Sequence, residues 1–224
     1  MPFSSSLSNS EKFTHQFARH TQSLAWFFLY PIFHLNYKIK IDSKEKLKNA
    51  PVSALIVANH VRIYDSFLFS IMLGPYAKQL PLRFIGVSKS SMPIVKTLDR
   101  LGVISFIYSL FGVLVVVPGA GLEKNTSGAI KALLQNESVV IYPEGRISPD
   151  GILKPGTFRQ GASLIAISTG KDVLPVSFRI TKRPWRRSLV DIHVGDPFKL
   201  NPTLSQEQGT EIIYQKVSEL FFKN

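Results

Sequence analysis

Ser53-Ala54-Leu55-Ile56-Val57-Ala58 runs directly into Asn59-His60-Val61-Arg62-Ile63-Tyr64-Asp65. The first stretch is small and apolar, with β-branched residues in it, and reads as a buried strand. A histidine at the end of a buried strand stands at the rim of a sheet, where α/β folds hold their sites. Asp65 opens the predicted helix Ser66–Leu73, so its carboxylate either caps that helix or turns towards His60. In the second case it fixes the tautomer of the ring and leaves the other nitrogen free to take a proton. That arrangement is the base-and-orienter half of a catalytic triad. Spacing alone also fits a polar strand end followed by an ordinary cap.

Working outward, the same alternation repeats. Strand-like runs fall at Tyr37–Ile41, Ser53–Ala58, Leu82–Val87, Val113–Val117, Ser138–Tyr142, Val173–Phe178 and Val190–Val194. Helical stretches lie at Ser66–Leu73, Lys96–Leu110, Ser127–Asn136, Phe158–Ser168 and Gln206–Phe222. The last carries Ser205 and Gln208 at capping-box spacing and an apolar stripe of Ile212, Ile213, Val217, Leu220 and Phe221. Strands alternating with helices predict an α/β fold, a single domain with a mostly parallel sheet flanked by helices. No internal repeat or low-complexity tract divides the chain.

Composition narrows the partners. The 224 residues include 27 Lys and Arg against 15 Asp and Glu, a net charge of +12, with 45% hydrophobic residues. Such a chain has enough apolar residue for a core, and its cationic surplus calls for an anionic partner. Without cysteine there is no disulfide scaffold, thiolate zinc site or cysteine nucleophile. The polar opening Met1–Asn9 and the mixed charges of Glu11–His20 lack the pattern of a secretory signal, which predicts a location in the cytosol or on the cytoplasmic face of a membrane.

Two segments bear on membranes. Leu24–Leu35 holds Trp26, Phe27, Phe28, Tyr30 and Phe33, flanked by Lys12, His15, Arg19, His20, Lys38 and Lys40. It is too short to span a bilayer and suits its interface, though the same residues also fit an N-terminal helix packed on the domain. Leu101–Pro118 has no charged residue and on length alone borders on a membrane span, but Gly102, Gly112 and the β-branched run Val113–Val117 fit a helix followed by a buried strand better. Arg179-Ile180-Thr181-Lys182-Arg183-Pro184-Trp185-Arg186-Arg187 adds a basic patch with a tryptophan, suited to an anionic phospholipid membrane, an acidic carrier protein or a solvated loop.

A second polar constellation ends another apolar strand: Val139-Val140-Ile141-Tyr142-Pro143-Glu144-Gly145-Arg146-Ile147-Ser148. Pro143 stops the ladder and Gly145 permits a tight turn. If this strand runs parallel to Ser53–Ala58, Glu144 and Arg146 share a rim with His60. An arginine there can bind phosphate, and a glutamate can accept from a hydroxyl. The same residues also make an ordinary surface turn. The chain has no Gly-x-Ser-x-Gly elbow, no phosphate-binding Walker loop and no close set of metal-ligating histidines. A base without a nucleophile of its own suggests that the substrate brings the attacking hydroxyl.

Asn59-His60 followed after four residues by Asp65 resembles the first motif of the glycerolipid acyltransferases, the 1-acylglycerol-3-phosphate acyltransferase family. Tyr142-Pro143-Glu144-Gly145 resembles its third motif, and Val173-Leu174-Pro175-Val176 its fourth. Lys154-Pro155-Gly156 and Gly161-Ala162 are similar to the segment between them, so the likeness covers roughly Tyr37 to Val194. It implies an interfacial segment at residues 1–36 and an acyltransferase domain at 37–224. It also implies His60 and Asp65 as the catalytic pair, with Asn59, Arg62, Lys89, Glu144, Gly145 and Arg146 around the substrate. The implied donor is acyl-CoA or an acyl carrier protein, a co-substrate and not a cofactor. The implied acceptor is a lysophospholipid hydroxyl, with no metal.

Two departures concern the acceptor. Arg146 follows Gly145 directly, a Glu-Gly-Arg-Ile form that resembles the branch acting on lysophosphatidylethanolamine. In the second motif, Lys89, Pro93, Gly112 and Val113–Val117 fit, but Pro118 stands about where the family has a phosphate-binding arginine. Arg83, Lys89, Arg146 and Arg62 are the candidate replacements. Other classes compatible with the charge are a basic nucleic-acid-binding domain, against which the absence of any nucleic-acid motif weighs, and a catalytically silent membrane-interface protein.

Overall fold

The sheet is built around the strand that leads into His60. In the computed structural model, which describes residues 9–62, 64–87, 97–98, 100–148 and 151–223, seven strands form one sheet in the order β1-β7-β6-β2-β5-β3-β4. They are β1 (Tyr37–Asp42), β2 (Leu55–Ala58), β3 (Leu82–Val87), β4 (Leu114–Val116), β5 (Ser138–Ile141), β6 (Val173–Thr181) and β7 (Ser188–Val194). β6, β2, β5, β3 and β4 run parallel, whereas β7 is antiparallel to β6 and parallel to β1. Both faces of β2 and β5 are covered, which is why every residue of each is buried and why β2 and Val139–Ile141 of β5 read as unbroken apolar runs.

Seven described helices complete a three-layer sandwich: α1 (Asn9–Asn36), α2 (Lys44–Asn49), α3 (Asp65–Leu73), α4 (Val103–Phe111), α5 (Leu122–Leu134), α6 (Gly161–Thr169) and α7 (Gln206–Phe221). One core includes Ile56, Phe69, Val140, Phe178 and Ile192, together with Phe33 of α1. The other, on the opposite face, includes Leu55, Val139, Ile165, Ile213 and Val217. The α7 capping box forms as its spacing predicts, with Ser205 accepting from the Gln208 N–H and Gln208 accepting from that of Ser205.

Several boundaries depart from the expected ones for local reasons. Lys96 and Asp99 lie outside the described residues, and the expected helix through Leu110 is broken where Gly102 adopts φ 75°. The helix expected from Ser127 starts five residues earlier. Asn125 and Thr126 are poor helix formers, but the Asn125 amide pairs with both backbone groups of Val117 and the Thr126 hydroxyl bonds back to Leu122 O. The helix expected from Phe158 begins at Gly161, because the Arg159 N–H is held by Pro143 O at 2.9 Å. α2 was not expected. α1 is one helix that continues through Pro31.

α1 is pinned to the domain by polar contacts from its inner side. Gln22 bonds Leu82 N and O and also Phe111 O, and Arg19 reaches Leu80 O. His15 Nδ1 lies 2.7 Å from Glu137 Oε1, and Glu137 is chelated by Arg83 at 2.6 and 2.7 Å. Outward, α1 exposes Phe13, Leu24, Phe27, Phe28, Ile32 and Leu35, and the neighbouring α4 exposes Phe106. Among the described residues, no helix is long and apolar enough to cross a membrane.

Candidate active site

β2 and β5 are adjacent and parallel, so the segments that follow them emerge at the same edge of the sheet. This places Asn59-His60 beside Tyr142-Pro143-Glu144-Gly145, 84 residues apart in sequence for the pair that touches. Glu144 Oε1 accepts the His60 backbone N–H at 2.8 Å, and His60 O accepts from Ser148 N at 2.8 Å. The histidine backbone is therefore held by the loop after β5.

The loop after His60 wraps around Asp65. Its Oδ2 lies 3.0 Å from His60 Nδ1 and accepts from Val61 N at 2.6 Å and Arg62 N at 2.8 Å. The carboxylate thus turns towards His60, and the α3 N-terminus has no side-chain cap. Asp65 is 0% exposed, whereas the His60 side chain keeps 19% exposure. An ionised carboxylate only accepts, so the proton belongs on His60 Nδ1, and Nε2 is left as the acceptor. The Tyr142 ring stacks on the imidazole with centroids 4.3 Å apart and an interplanar angle of 15°. Burial, reinforced by the negative charge of Asp65, pushes the Tyr142 phenol far above its usual range, so it packs as a neutral ring.

Burial also raises the Glu144 carboxyl, opposed by its bond from His60 N–H. Tyr142 to Gly145 closes as a turn, with Gly145 N donating to Tyr142 O at 3.0 Å and proline in second place. Gly145 has φ 63°, and its open face is covered by the Arg159 side chain.

The expected substrate residues divide. Arg146 is exposed at this rim, and Arg62 is half-buried, its Nη1 donating to Val61 O at 3.3 Å. Glu144 is buried and holds His60, so it acts on the loop and is not a free acceptor for a hydroxyl. Asn59 does not face the rim: it is 2% exposed, and its amide exchanges two hydrogen bonds with the Phe178 backbone, tying β2 to β6. Arg83 is excluded as an anion ligand, because it stands second in β3, at the opposite end of the strands from His60, and is chelated by Glu137. Lys89 and Pro93 lie outside the described residues. Pro118 follows β4, three strands from β2, roughly 14 Å at ordinary strand spacing. Two neighbours were missed by sequence reasoning. In the sequence Tyr142 reads as the end of a strand and a letter of a motif, and Arg159 sits in a segment that reads as the start of a helix.

The Acyltransferase family model matches residues 38–179, which contain every one of these groups. The chain belongs to the Acyltransferase family. Two relatives agree with it: the chloroplast 1-acyl-sn-glycerol-3-phosphate acyltransferases LPAT1 of Arabidopsis thaliana and BAT2 of Brassica napus, each 28% identical over 171 residues. Those alignments cover 74% of this chain but only 41% and 42% of the relatives, so the chain spans about two fifths of their length. The crystal structure of the 1-acyl-sn-glycerophosphate acyltransferase PlsC from Thermotoga maritima superposes with a TM-score of 0.58 at 18% identity, covering 97% of this chain and 85% of that one. The family fold, a mostly parallel sheet between helices, is therefore shared.

Proposed function

We propose that this family member transfers a fatty acyl group from a thioester, acyl-CoA or acyl carrier protein, to the hydroxyl of a lysophospholipid such as 1-acylglycerol-3-phosphate. His60 Nε2 takes the proton of the hydroxyl as its oxygen attacks the thioester carbonyl carbon. Asp65 holds the ring in the needed tautomer and balances the positive charge that develops on it. The C–S bond then breaks, and the thiolate leaving group takes the proton back from His60. A thioester is already activated, so the scheme requires no acyl-enzyme and no metal.

The observation that carries the reading is the 3.0 Å pair of His60 Nδ1 and buried Asp65 Oδ2 on a rim open to solvent. Two surfaces support work at a bilayer. One is the exposed aromatic side of α1, and the other is the β6–β7 hairpin with fully exposed Trp185. β6 runs parallel to β2, so the hairpin tip leaves the sheet at the same edge as His60. The protein is proposed to act while docked on an anionic membrane, on its cytoplasmic face.

The test is an acceptor panel of lysophosphatidate, lysophosphatidylethanolamine and monoacylglycerol, with labelled acyl-CoA and acyl carrier protein and the product identified by mass. Acylation of a lysophospholipid by the wild type, abolished in His60→Ala with folding and liposome binding intact, is the expected result. Full turnover by His60→Ala removes the mechanism.

A further inference from the structure

We infer that Arg159 is the acceptor-phosphate ligand of this site and sets its preference for a phosphate monoester head group. The assignment rests on the acyl-transfer reading above. Of the cations expected to replace the arginine absent at Pro118, Arg83 is held by Glu137 at the opposite end of the strands, and Arg62 points a donor at Val61 O. Arg159 is placed by its own backbone: its N–H donates to Pro143 O at 2.9 Å, which fastens the residue to the turn that carries Glu144. Its guanidinium then lies across Gly145. Nε and Cζ are 3.1 Å, and Nη1 3.2 Å, from where a Gly145 Cβ would stand.

No hydrogen bond or ion pair engages that guanidinium among the described residues, and it is exposed at the rim beside Arg146, whose own charge acts on the Glu144 carboxyl. An arginine offers a planar fork of five donors, so this one faces the rim with its donor set uncommitted. Glu144, one residue from Gly145, holds the His60 backbone. The cation and the base are therefore linked through one short turn.

The acceptor's chemistry fits that closeness. In a 1-acylglycerol-3-phosphate only four bonds separate the reacting oxygen from phosphorus, a reach of about 5 Å at ordinary bond lengths. The phosphate must then lie close to the atom that His60 deprotonates. A donor's CoA phosphates are separated from its thioester by the whole pantetheine arm and need no cation in this turn. Gly145 serves the same end: its positive φ shapes the turn, and its missing side chain admits the guanidinium.

The experiment is steady-state kinetics of wild type, Arg159→Gln and Arg159→Lys with lysophosphatidate and with uncharged monoacylglycerol. Inorganic phosphate is added as a probe inhibitor. In Arg159→Gln the lysophosphatidate KM is expected to rise about 10–100-fold, the loss of one charge-assisted interaction, with kcat and the acyl-CoA KM little changed. Arg159→Lys recovers part of the loss. Phosphate competes with lysophosphatidate in the wild type and much less in Arg159→Gln. An unchanged lysophosphatidate KM overturns the assignment, as does an equal loss with monoacylglycerol. A rise confined to the acyl-CoA KM places the guanidinium on the donor and overturns it too. Wild type inactive on every acceptor removes the underlying reaction and this assignment with it, whereas an active wild type with an indifferent variant removes Arg159 alone. Should Arg159→Gln unfold, the Arg159→Lys KM and the wild-type phosphate competition still decide.

Discussion

Replacing Asp65 with asparagine separates the charge of this group from its shape. Oδ2 meets three N–H donors, at 3.0 Å from His60, 2.6 Å from Val61 and 2.8 Å from Arg62. A hydrogen bond to an ionised group contributes about 1.5–3 kcal/mol and a neutral one about 0.5–1.5 kcal/mol, so an amide oxygen in the same place weakens the set by about 3 kcal/mol. An uncharged group also costs less to bury, and the net loss of stability expected for Asp65→Asn is about 1–3 kcal/mol. Asp65→Ala is a poorer probe, because it strands the Val61 and Arg62 N–H groups at about 1–3 kcal/mol each, a large part of the 5–15 kcal/mol typical of a domain. The kinetic effect should be larger than the structural one. Asparagine cannot balance a positive charge on His60, and base assistance is typically worth about 10²–10⁴-fold, some 3–5 kcal/mol of barrier. The assay pairs initial acyl-transfer rates with urea unfolding. Asp65→Asn should remain folded, lose at least about 100-fold in kcat and change the acceptor KM little. Turnover within about threefold of wild type in a folded variant would refute the role given to the carboxylate.

Three further outcomes follow from other contacts. Burial raises the Glu144 carboxyl above its unfolded value, so the folded state binds the extra proton, and wild-type stability falls as pH rises through that interval; Glu144→Gln should therefore gain on wild type in urea midpoint between pH 4 and pH 7.5, and a constant difference would contradict the shift. Glu137→Ala leaves Arg83 buried without its partner and should cost about 3–5 kcal/mol, while the paired change Arg83→Met with Glu137→Leu should cost much less, both read by urea unfolding. In the basic hairpin, Arg179 and Arg187 turn back to Lys223 O and His34 O, leaving exposed Lys182 and Arg186 free to meet lipid; neutralising those two should weaken binding to anionic vesicles about 30-fold at about 1 kcal/mol each, and unchanged partition would remove the hairpin from the docking surface.

The primary structure alone determined the layered α/β architecture, since fully buried parallel strands need apolar runs on both faces, and β2 and Val139–Ile141 of β5 carry them. It also determined the pairing of His60 with Asp65 up to one ambiguity, because five residues around a strand end allow either a helix cap or a bond to the ring. Tertiary structure resolved that ambiguity in favour of the ring, through the curled backbone that brings three donors to one oxygen. Only the fold could show that Asn59 ties strands together, that Arg83 belongs to a buried ion pair, and that Arg159 covers Gly145. The physical reason is common to all three. The type of a side chain fixes what it can bond, but its partner is set by the strand order, which brings residues such as His60 and Glu144 together across 84 positions of chain.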